Sequence, residues 1–175
     1  MTKTLKILEI GDKRLWQKTK PVKNTQSKEV LELAKELINI CKKTGGVGIA
    51  SNQVGKKMDL FIIWSKPNKN YPKAPKFGPE VVINPKILNK SKKEVKEFEG
   101  CLSVPGIRAK ILRAKNIEVS YTNIGGIQVK QKFSDFVARI FQHEFDHLQG
   151  ILILDRANPK EIYSTKEFNK IIKNK

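Results

Sequence analysis

Two histidines, His143 and His147, stand four positions apart, and the chain has no others. Residues four apart lie on the same face of an α-helix, so both imidazoles can bind one metal ion. Glu144 follows the first histidine directly, and a glutamate in that place can act as a general base on water beside the ion. The spacing therefore predicts a helical metal site with hydrolytic chemistry.

The helix that carries these residues is predicted to begin after Ser134 and to end near Gln149, before Gly150. On a helical wheel its apolar side chains form an arc of roughly 200°, which indicates packing on most sides. Glu144 falls inside that arc, where an unpaired carboxylate is costly, and a metal-bound water would give it a partner. The remaining face is polar: Asp135, Arg139, Gln142, Asp146 and Gln149.

A catalytic site of this type needs a third protein ligand, which must be a carboxylate or a thiolate because no third histidine exists. Cys41 lies on the apolar stripe of a predicted helix, where a free cysteine packs as a small hydrophobe. Cys101 lies between turn residues, where a loop can direct it at a neighbouring helix, so it is the favoured ligand. A nucleophilic role for Cys101 is the alternative, but it leaves Glu144 unexplained.

Composition limits the class of protein. A chain of 175 residues can bury a substantial core, and we expect one catalytic domain over 1–175. The net charge of +18 favours contact with nucleic acid or another polyanion, although scattered lysines also fit a solvated surface. No apolar run reaches the roughly 18 residues of a membrane span, and the N-terminus lacks a secretory signal. We expect a cytoplasmic monomer that makes no membrane contact.

Periodicity and turn residues predict the elements that position the site. An amphipathic helix is expected over 27–43 with Ser27 as its cap, and a last helix follows the capping box that begins at Ser164. The glycine-rich segment 45–50 predicts a backbone that turns tightly or approaches another group. A loop is expected over 65–80. Extended segments are predicted over 58–64, over 81–83 with a stop at Asn84-Pro85, and over 87–98, 117–122, 127–133 and 151–154.

Three stretches together resemble the peptide deformylase family: GVGIASNQ at 46–53, EGCLS at 99–103 and QHEFDH at 142–147. They occur in the family's order, and weaker similarity extends over most of the chain. The resemblance implies an α+β fold in which antiparallel β-sheets wrap around a central metal-binding helix, with an N-terminal and a C-terminal helix. The chain departs from the family's usual pattern at Ser51 and Asn52, where alanine and proline are common.

The resemblance implies removal of the N-formyl group from the initiator methionine of nascent polypeptides, with release of formate. It implies the metal ligands Cys101, His143 and His147. Glu144 is expected to be the general base, while the Gln53 side-chain amide and the Leu102 backbone N–H stabilise an oxyanion. Substrate backbone is expected to pair along the cleft as an added strand. The expected substrate-binding residues are Val47, Gly48, Ile49 and Ile140.

One divalent ion is implied. Iron(II) is expected in the cell, and zinc, nickel or cobalt also suit these ligands. The basic segment 156–175, with its helix, is expected to dock on the ribosome near the exit site, as in related bacterial enzymes, or else merely to pack on a sheet. The alternatives are another metallohydrolase or peptidase with the same helical motif, and a non-catalytic ribosome-binding relative. Gln53 and Cys101 argue against the first, and the intact ligand set argues against the second.

Overall fold

The structure is a computed structural model that describes residues 5–68 and 71–173. These residues form four α-helices and eight β-strands, joined by turns and short 3-10 helices. The helices are α1 (Lys28–Thr44), α2 (Asp135–Leu148), α3 (Ile153–Arg156) and α4 (Thr165–Lys173). The strands are β1 (Gly48–Ala50), β2 (Leu60–Ser65), β3 (Phe77–Lys90), β4 (Glu94–Cys101), β5 (Val104–Ala114), β6 (Asn116–Thr122), β7 (Gln128–Ser134) and β8 (Ile162–Ser164).

The strands form two antiparallel sheets, one ordered β1-β2-β3-β6-β7 and the other β4-β5-β8. Helix α2 packs against both. Its Phe141 is buried with Phe61 and Val82 of the larger sheet, and its Arg139 donates to the backbone oxygens of Ile111 and Val95 in the smaller one. The predicted α+β fold, with antiparallel sheets around the histidine-bearing helix, is confirmed. None of the described helices has the length and apolarity that a membrane crossing requires.

Helix α1 covers the opposite face of the larger sheet. Side chains alternate along β2, so Phe61 and Ile63 pack toward α2 while Leu60 and Ile62 pack toward α1. Ser27 caps α1 as predicted, because its Oγ accepts from the Val30 N–H at 3.4 Å. Cys41 is buried in the same apolar cluster, and burial raises the pKa of its thiol. A packing role for this cysteine agrees with the prediction.

The predicted stop at Asn84-Pro85 is wrong, because β3 continues to Lys90. Asn84 adopts a positive φ of 50°, and the pairing with β6 shifts register between Ile83 and Lys86. The Asn84 side chain anchors the bend by bonding the N–H and the C=O of Val22 at 2.7 and 2.8 Å. The strand therefore absorbs the proline as an irregularity rather than ending there.

Three other segment predictions need correction. The loop predicted over 65–80 ends early, since β3 begins at Phe77. The single strand predicted over 87–98 is divided between β3 and β4, which lie in different sheets. The segment 151–154 is not extended throughout, because α3 begins at Ile153 and the Asp155 carboxylate accepts from the Leu152 N–H at 2.7 Å. The hairpin β6–β7 and both terminal helices lie where they were predicted.

Candidate active site

The structure brings together the three side chains that were predicted as metal ligands. The ligand atoms of Cys101, His143 and His147 all lie within 4.8 Å of one another. Cys101 ends β4 at the tight turn into β5, which directs its Sγ at α2, 3.3 Å from Nε2 of His147. One thiolate and two imidazoles match the donor set of a catalytic site for a divalent ion of intermediate softness.

The charges around these ligands also suit a cation. Burial, together with the nearby charges of His143 and Arg113, lowers the pKa of His147, so this imidazole is neutral as a metal ligand must be. Burial opposes the charged form of His143, but hydrogen bonds to Cys101 and Glu99 outweigh it and raise its pKa. The anionic partners that favour a proton on His143 favour a metal cation in the same place. The residues present therefore fit the divalent ion that the donor set predicts.

Glu99 fixes the orientation of the first histidine. Its buried carboxylate accepts from Nδ1 of His143 at 2.9 Å, from Arg113 twice at 3.0 Å and from Arg139 at 2.8 Å. Burial works to raise the pKa of Glu99, but the hydrogen bonds and charges of His143 and Arg113 hold it far below its ordinary value. A carboxylate on Nδ1 leaves Nε2 of His143 free for a metal. Glu99 lies in the EGCLS stretch at 99–103, but no role was predicted for it.

The polar face of α2 is largely internal. Arg139, Gln142 and Asp146 are all buried and face the three-stranded sheet. Asp146 pairs with Arg113 and with Arg156, whose Nη2 lies 2.5 Å from Oδ1. Ion pairs thus connect the ligand-bearing helix to β5 and to α3. The periodicity located this face correctly, but it gave no sign that the face is covered.

Glu144 lies in the same cavity and is only 3% exposed. Burial raises its pKa to about 7, against the opposing charge of His143. Its Oε2 has no hydrogen-bond partner among the residues described, while Oε1 lies against the backbone of Gly48. A carboxylate with one free oxygen and this pKa can accept a proton near neutral pH.

Gln53 follows β1 in a short 3-10 helix over Ser51–Val54. Its Oε1 accepts from the Ala50 N–H at 2.8 Å, which fixes the amide. Its Nε2 then donates to Oγ of Ser103 at 3.0 Å and lies 3.7 Å from Sγ of Cys101. The amide nitrogen is therefore shared between Ser103 and Cys101, and Cys101 is the one predicted metal ligand that it contacts. The buried Ser103 was not predicted to take part, although it lies in a quoted motif.

Strand β1 forms an open edge beside the cavity. The Val47 carbonyl accepts from the Trp64 N–H at 2.9 Å, and Ile49 is paired with Ile62. Because alternate residues of an antiparallel strand bond to one neighbour, the N–H and C=O of Gly48 face away from β2. Val47 and Gly48 line the cavity as predicted. The Ile49 side chain does not, since it is fully buried in the α1 cluster.

The cavity wall contains the predicted oxyanion residue Leu102 and the predicted substrate-binding residue Ile140. Other lining residues were missed, because they belong to elements whose patterns gave no sign of a site. Tyr71 comes from the proline-rich loop after β2 and lies 5.1 Å, between ring centroids, from Phe136 at the start of α2. The wall also contains the side chains of Phe98, Glu99, Arg108 and Arg139, none of which was predicted to line it.

Comparisons with known proteins agree with this geometry. The model of the family described as polypeptide deformylase matches residues 4–162. Peptide deformylase 2 of Nostoc sp. is 49% identical over 153 residues, which cover 87% of this chain and 86% of that protein. Peptide deformylase 2 of Shewanella oneidensis is 43% identical over 159 residues, with coverage of 91% and 87%.

Solved structures share the fold. The class I type b peptide deformylase of Acinetobacter baumannii, in a crystal structure with Met-Ala-Ser bound, gives a TM-score of 0.85 at 37% identity. The match covers 89% of this chain and 99% of that one. The peptide deformylase of Thermotoga maritima gives 0.79 at 36% identity, covering 90% and 99%. The chain belongs to the peptide deformylase family, metal-dependent hydrolases that remove the N-formyl group from nascent polypeptides.

Proposed function

We propose that this chain deformylates formyl-methionyl peptides with Glu144 as its general base and Cys101, His143 and His147 as ligands of one divalent ion. The observation that carries the proposal is the buried Glu144 carboxylate, whose Oε2 has no hydrogen-bond partner among the described residues and which lies in the same cavity as the ligand cluster. When bound, such an ion supplies Lewis acidity, which lowers the pKa of a water and polarises a carbonyl oxygen.

Glu144 moves the proton that the hydrolysis requires. Its carboxylate accepts a proton as the water oxygen bonds to the formyl carbon, and it delivers that proton to the nitrogen as the C–N bond breaks. The products are formate and a free α-amino group. Burial suits the residue to both steps, because its raised pKa of about 7 lets it take up and release a proton near neutral pH.

Gln53 and Leu102 stabilise the negative charge that develops on the formyl oxygen when water adds to the formyl carbon. The Gln53 amide is anchored through its Oε1 and holds its Nε2 beside Cys101, and Leu102 supplies a backbone N–H at the next position in the chain. Both donors are held in place by the fold before the reaction begins. Removal of one such donor typically lowers the rate by about 10²–10³-fold.

The substrate backbone binds along the open edge of β1, where Gly48 offers an N–H and a C=O. The methionine side chain occupies the apolar part of the cavity between Val47 and Ile140, with Phe98 and Phe136 beside them. Ile49 contributes only backbone, because its side chain packs on the other side of the strand. The bound Met-Ala-Ser in the Acinetobacter baumannii enzyme supports a peptide that begins with methionine.

The cellular setting follows from the substrate. We infer one catalytic domain over 1–175 that works as a monomer in the cytoplasm, where formylated chains leave the ribosome. Lys166, Lys170 and Lys173 of α4 are exposed, while Phe168 of the same helix packs on Phe98 at 4.9 Å between ring centroids. With its apolar side anchored, α4 offers these lysines to ribosomal RNA near the exit site. Iron(II) is the proposed ion in the cell, with zinc, nickel and cobalt able to replace it.

Formate release from formyl-Met-Ala-Ser tests the function. Anaerobically purified protein should release formate, a chelator should abolish the release, and iron(II) should restore it, with metal analysis in parallel. Acetyl-Met-Ala-Ser serves as a control. A general peptidase would cleave its internal peptide bonds, whereas a deformylase should leave the peptide intact. Equal formate release before and after complete metal removal would contradict the proposal.

A further inference from the structure

Three buried side-chain atoms have no hydrogen-bond partner in the part of the chain that the structure describes: Oε2 of Glu144, Nδ1 of His147 and Oδ1 of Asn52. The proton transfer proposed above accounts for the first. The other two belong to residues that already touch, because Nδ2 of Asn52 donates to the backbone oxygen of His147 at 2.5 Å. Asn52 and His147 are only 2% and 1% exposed.

The chemistry of His147 requires an acceptor beside its Nδ1. The ring presents Nε2 to Cys101, so Nε2 is the ligand atom and Nδ1 carries the proton. Histidines that bind metals almost always donate that proton to a carboxylate, a carbonyl oxygen or water. Glu99 accepts it from His143, whereas His147 has no such partner among the described residues. Asn52 carries a buried acceptor, Oδ1, for which the described residues offer no donor.

We propose that Asn52 is a positioning residue for the metal ligand His147. Its Oδ1 accepts the Nδ1 proton through one buried water, while its Nδ2 donates to the backbone oxygen of His147. Asn52 precedes Gln53 in the 3-10 helix after β1, and Nδ2 also donates to the Leu15 carbonyl at 3.2 Å. One short segment thereby positions an oxyanion donor and a ligand. The inference rests on the ligand role of His147 in the proposed function.

Metal affinity separates the two functions of the Asn52 amide. Asn52→Ala should weaken zinc binding by about 10–100-fold in competition with a chelator. Asn52→Asp keeps an acceptor oxygen but loses both donated bonds. It should therefore destabilise the metal-free protein yet bind zinc at least about tenfold more tightly than Asn52→Ala. Equal zinc affinities for the two variants would overturn the proposal.

Gln142 provides a matched control. Gln142 is a residue of α2 with a buried side-chain amide. Its Nε2 donates to the backbone oxygens of Ala114 and Ala138 at 2.9 and 3.0 Å, and its Oε1 accepts from the Ala114 N–H. Gln142→Ala should lower the free energy of unfolding but leave zinc affinity unchanged. A loss of affinity as large as that of Asn52→Ala would show that general loosening of α2 is responsible, which contradicts a specific role for Asn52.

A spectroscopic measurement can test the inference in the wild-type protein before any variant is made. In zinc-loaded, 15N-labelled wild-type protein, the Nδ1–H signal of His147 should be visible and protected from solvent exchange, like that of His143. Asn52→Ala should remove the protection at His147 alone. A rapidly exchanging His147 signal in the wild type would overturn the inference. His147→Ala distinguishes the two proposals, because unchanged zinc affinity in that variant would refute the ligand assignment and with it the proposed function.

Discussion

The backbone of Gly48 lies directly against the carboxylate of Glu144. A Cβ atom built on Gly48 would lie 2.4 Å from Oε1 and 2.9 Å from Cγ and Cδ of that glutamate. The open edge of β1 and the proposed base therefore meet at one point of the cavity. The glycine is required here by this close approach, since its φ is not in the positive range.

Gly48→Ala tests that contact. We expect the methyl group to displace the Glu144 carboxylate and to crowd the edge where substrate binds, lowering kcat/KM for formyl-Met-Ala-Ser by at least about 10²-fold. Zinc content should be unchanged, because no proposed ligand moves. Gly125→Ala, in the exposed β6–β7 turn, is the control and should keep wild-type activity. Retention of full activity by Gly48→Ala would show that Glu144 has room to move without consequence.

Glu99→Gln should weaken both the fold and the metal site. It leaves Arg113 and Arg139 buried with fewer anionic partners, which should lower the free energy of unfolding of the metal-free protein by about 3–5 kcal/mol. Loss of the carboxylate on His143 should also weaken zinc binding by about 10–100-fold. Glu97, which pairs with Arg139 at 3.2 Å but is half exposed, is the control. Glu97→Gln should lower the free energy of unfolding by less than about 1 kcal/mol. Similar losses for both variants would show that the buried ion pairs of Glu99 contribute no more to stability than the exposed pair of Glu97.

Replacement of Cys101, but not of Cys41, should remove the stabilisation of the fold by zinc. Zinc at 1,000 times its dissociation constant should stabilise the wild type and Cys41→Ala by about 4 kcal/mol in urea unfolding, because binding to the folded state adds directly to stability. Cys101→Ser should show little stabilisation at the same zinc concentration. An equal response from Cys101→Ser would exclude this thiolate as a ligand.

Charge reversal on α4 tests ribosome binding better than truncation. Truncation after Ala157 would also remove β8, which pairs with β5, and Phe168, whose ring lies 5.7 Å from the Arg108 guanidinium. Replacement of Lys166, Lys170 and Lys173 by glutamate should instead abolish co-sedimentation with ribosomes at low salt, with deformylase activity on short peptides retained. The same change at three exposed lysines of α1, Lys28, Lys35 and Lys42, is the control. Equal binding by the two triple variants would remove α4 from the interface.

Most of the metal site could be predicted because two ligands and the proposed base lie within one short helical segment. The four-residue spacing of His143 and His147 needs only a helix, and a wheel places Glu144 beside buried positions. Cys101 could be favoured because the competing Cys41 lay on an apolar stripe. The resemblance to a family then supplied Gln53 and Leu102, which no spacing rule would identify.

The remaining features depend on pairings between distant segments. Strand β5 was missed because its polar and apolar residues do not match its buried and exposed positions. The charged Arg113 is buried in the ion network, while the neighbouring apolar Leu112 is half exposed. Glu99 gave no signal, because its partners lie 14 to 44 positions away in sequence. Tyr71 reaches the cavity from a proline-rich loop that has no periodicity to analyse.

Formate release by a metal-loaded Glu144→Gln variant tests the central claim most directly. The substitution keeps the size of the side chain but removes its ability to accept a proton. We expect wild-type zinc or iron content, with kcat for formyl-Met-Ala-Ser lowered by at least about 10²-fold, in line with the usual contribution of a general base. Turnover at the wild-type rate by the metal-loaded variant would exclude Glu144 as the general base.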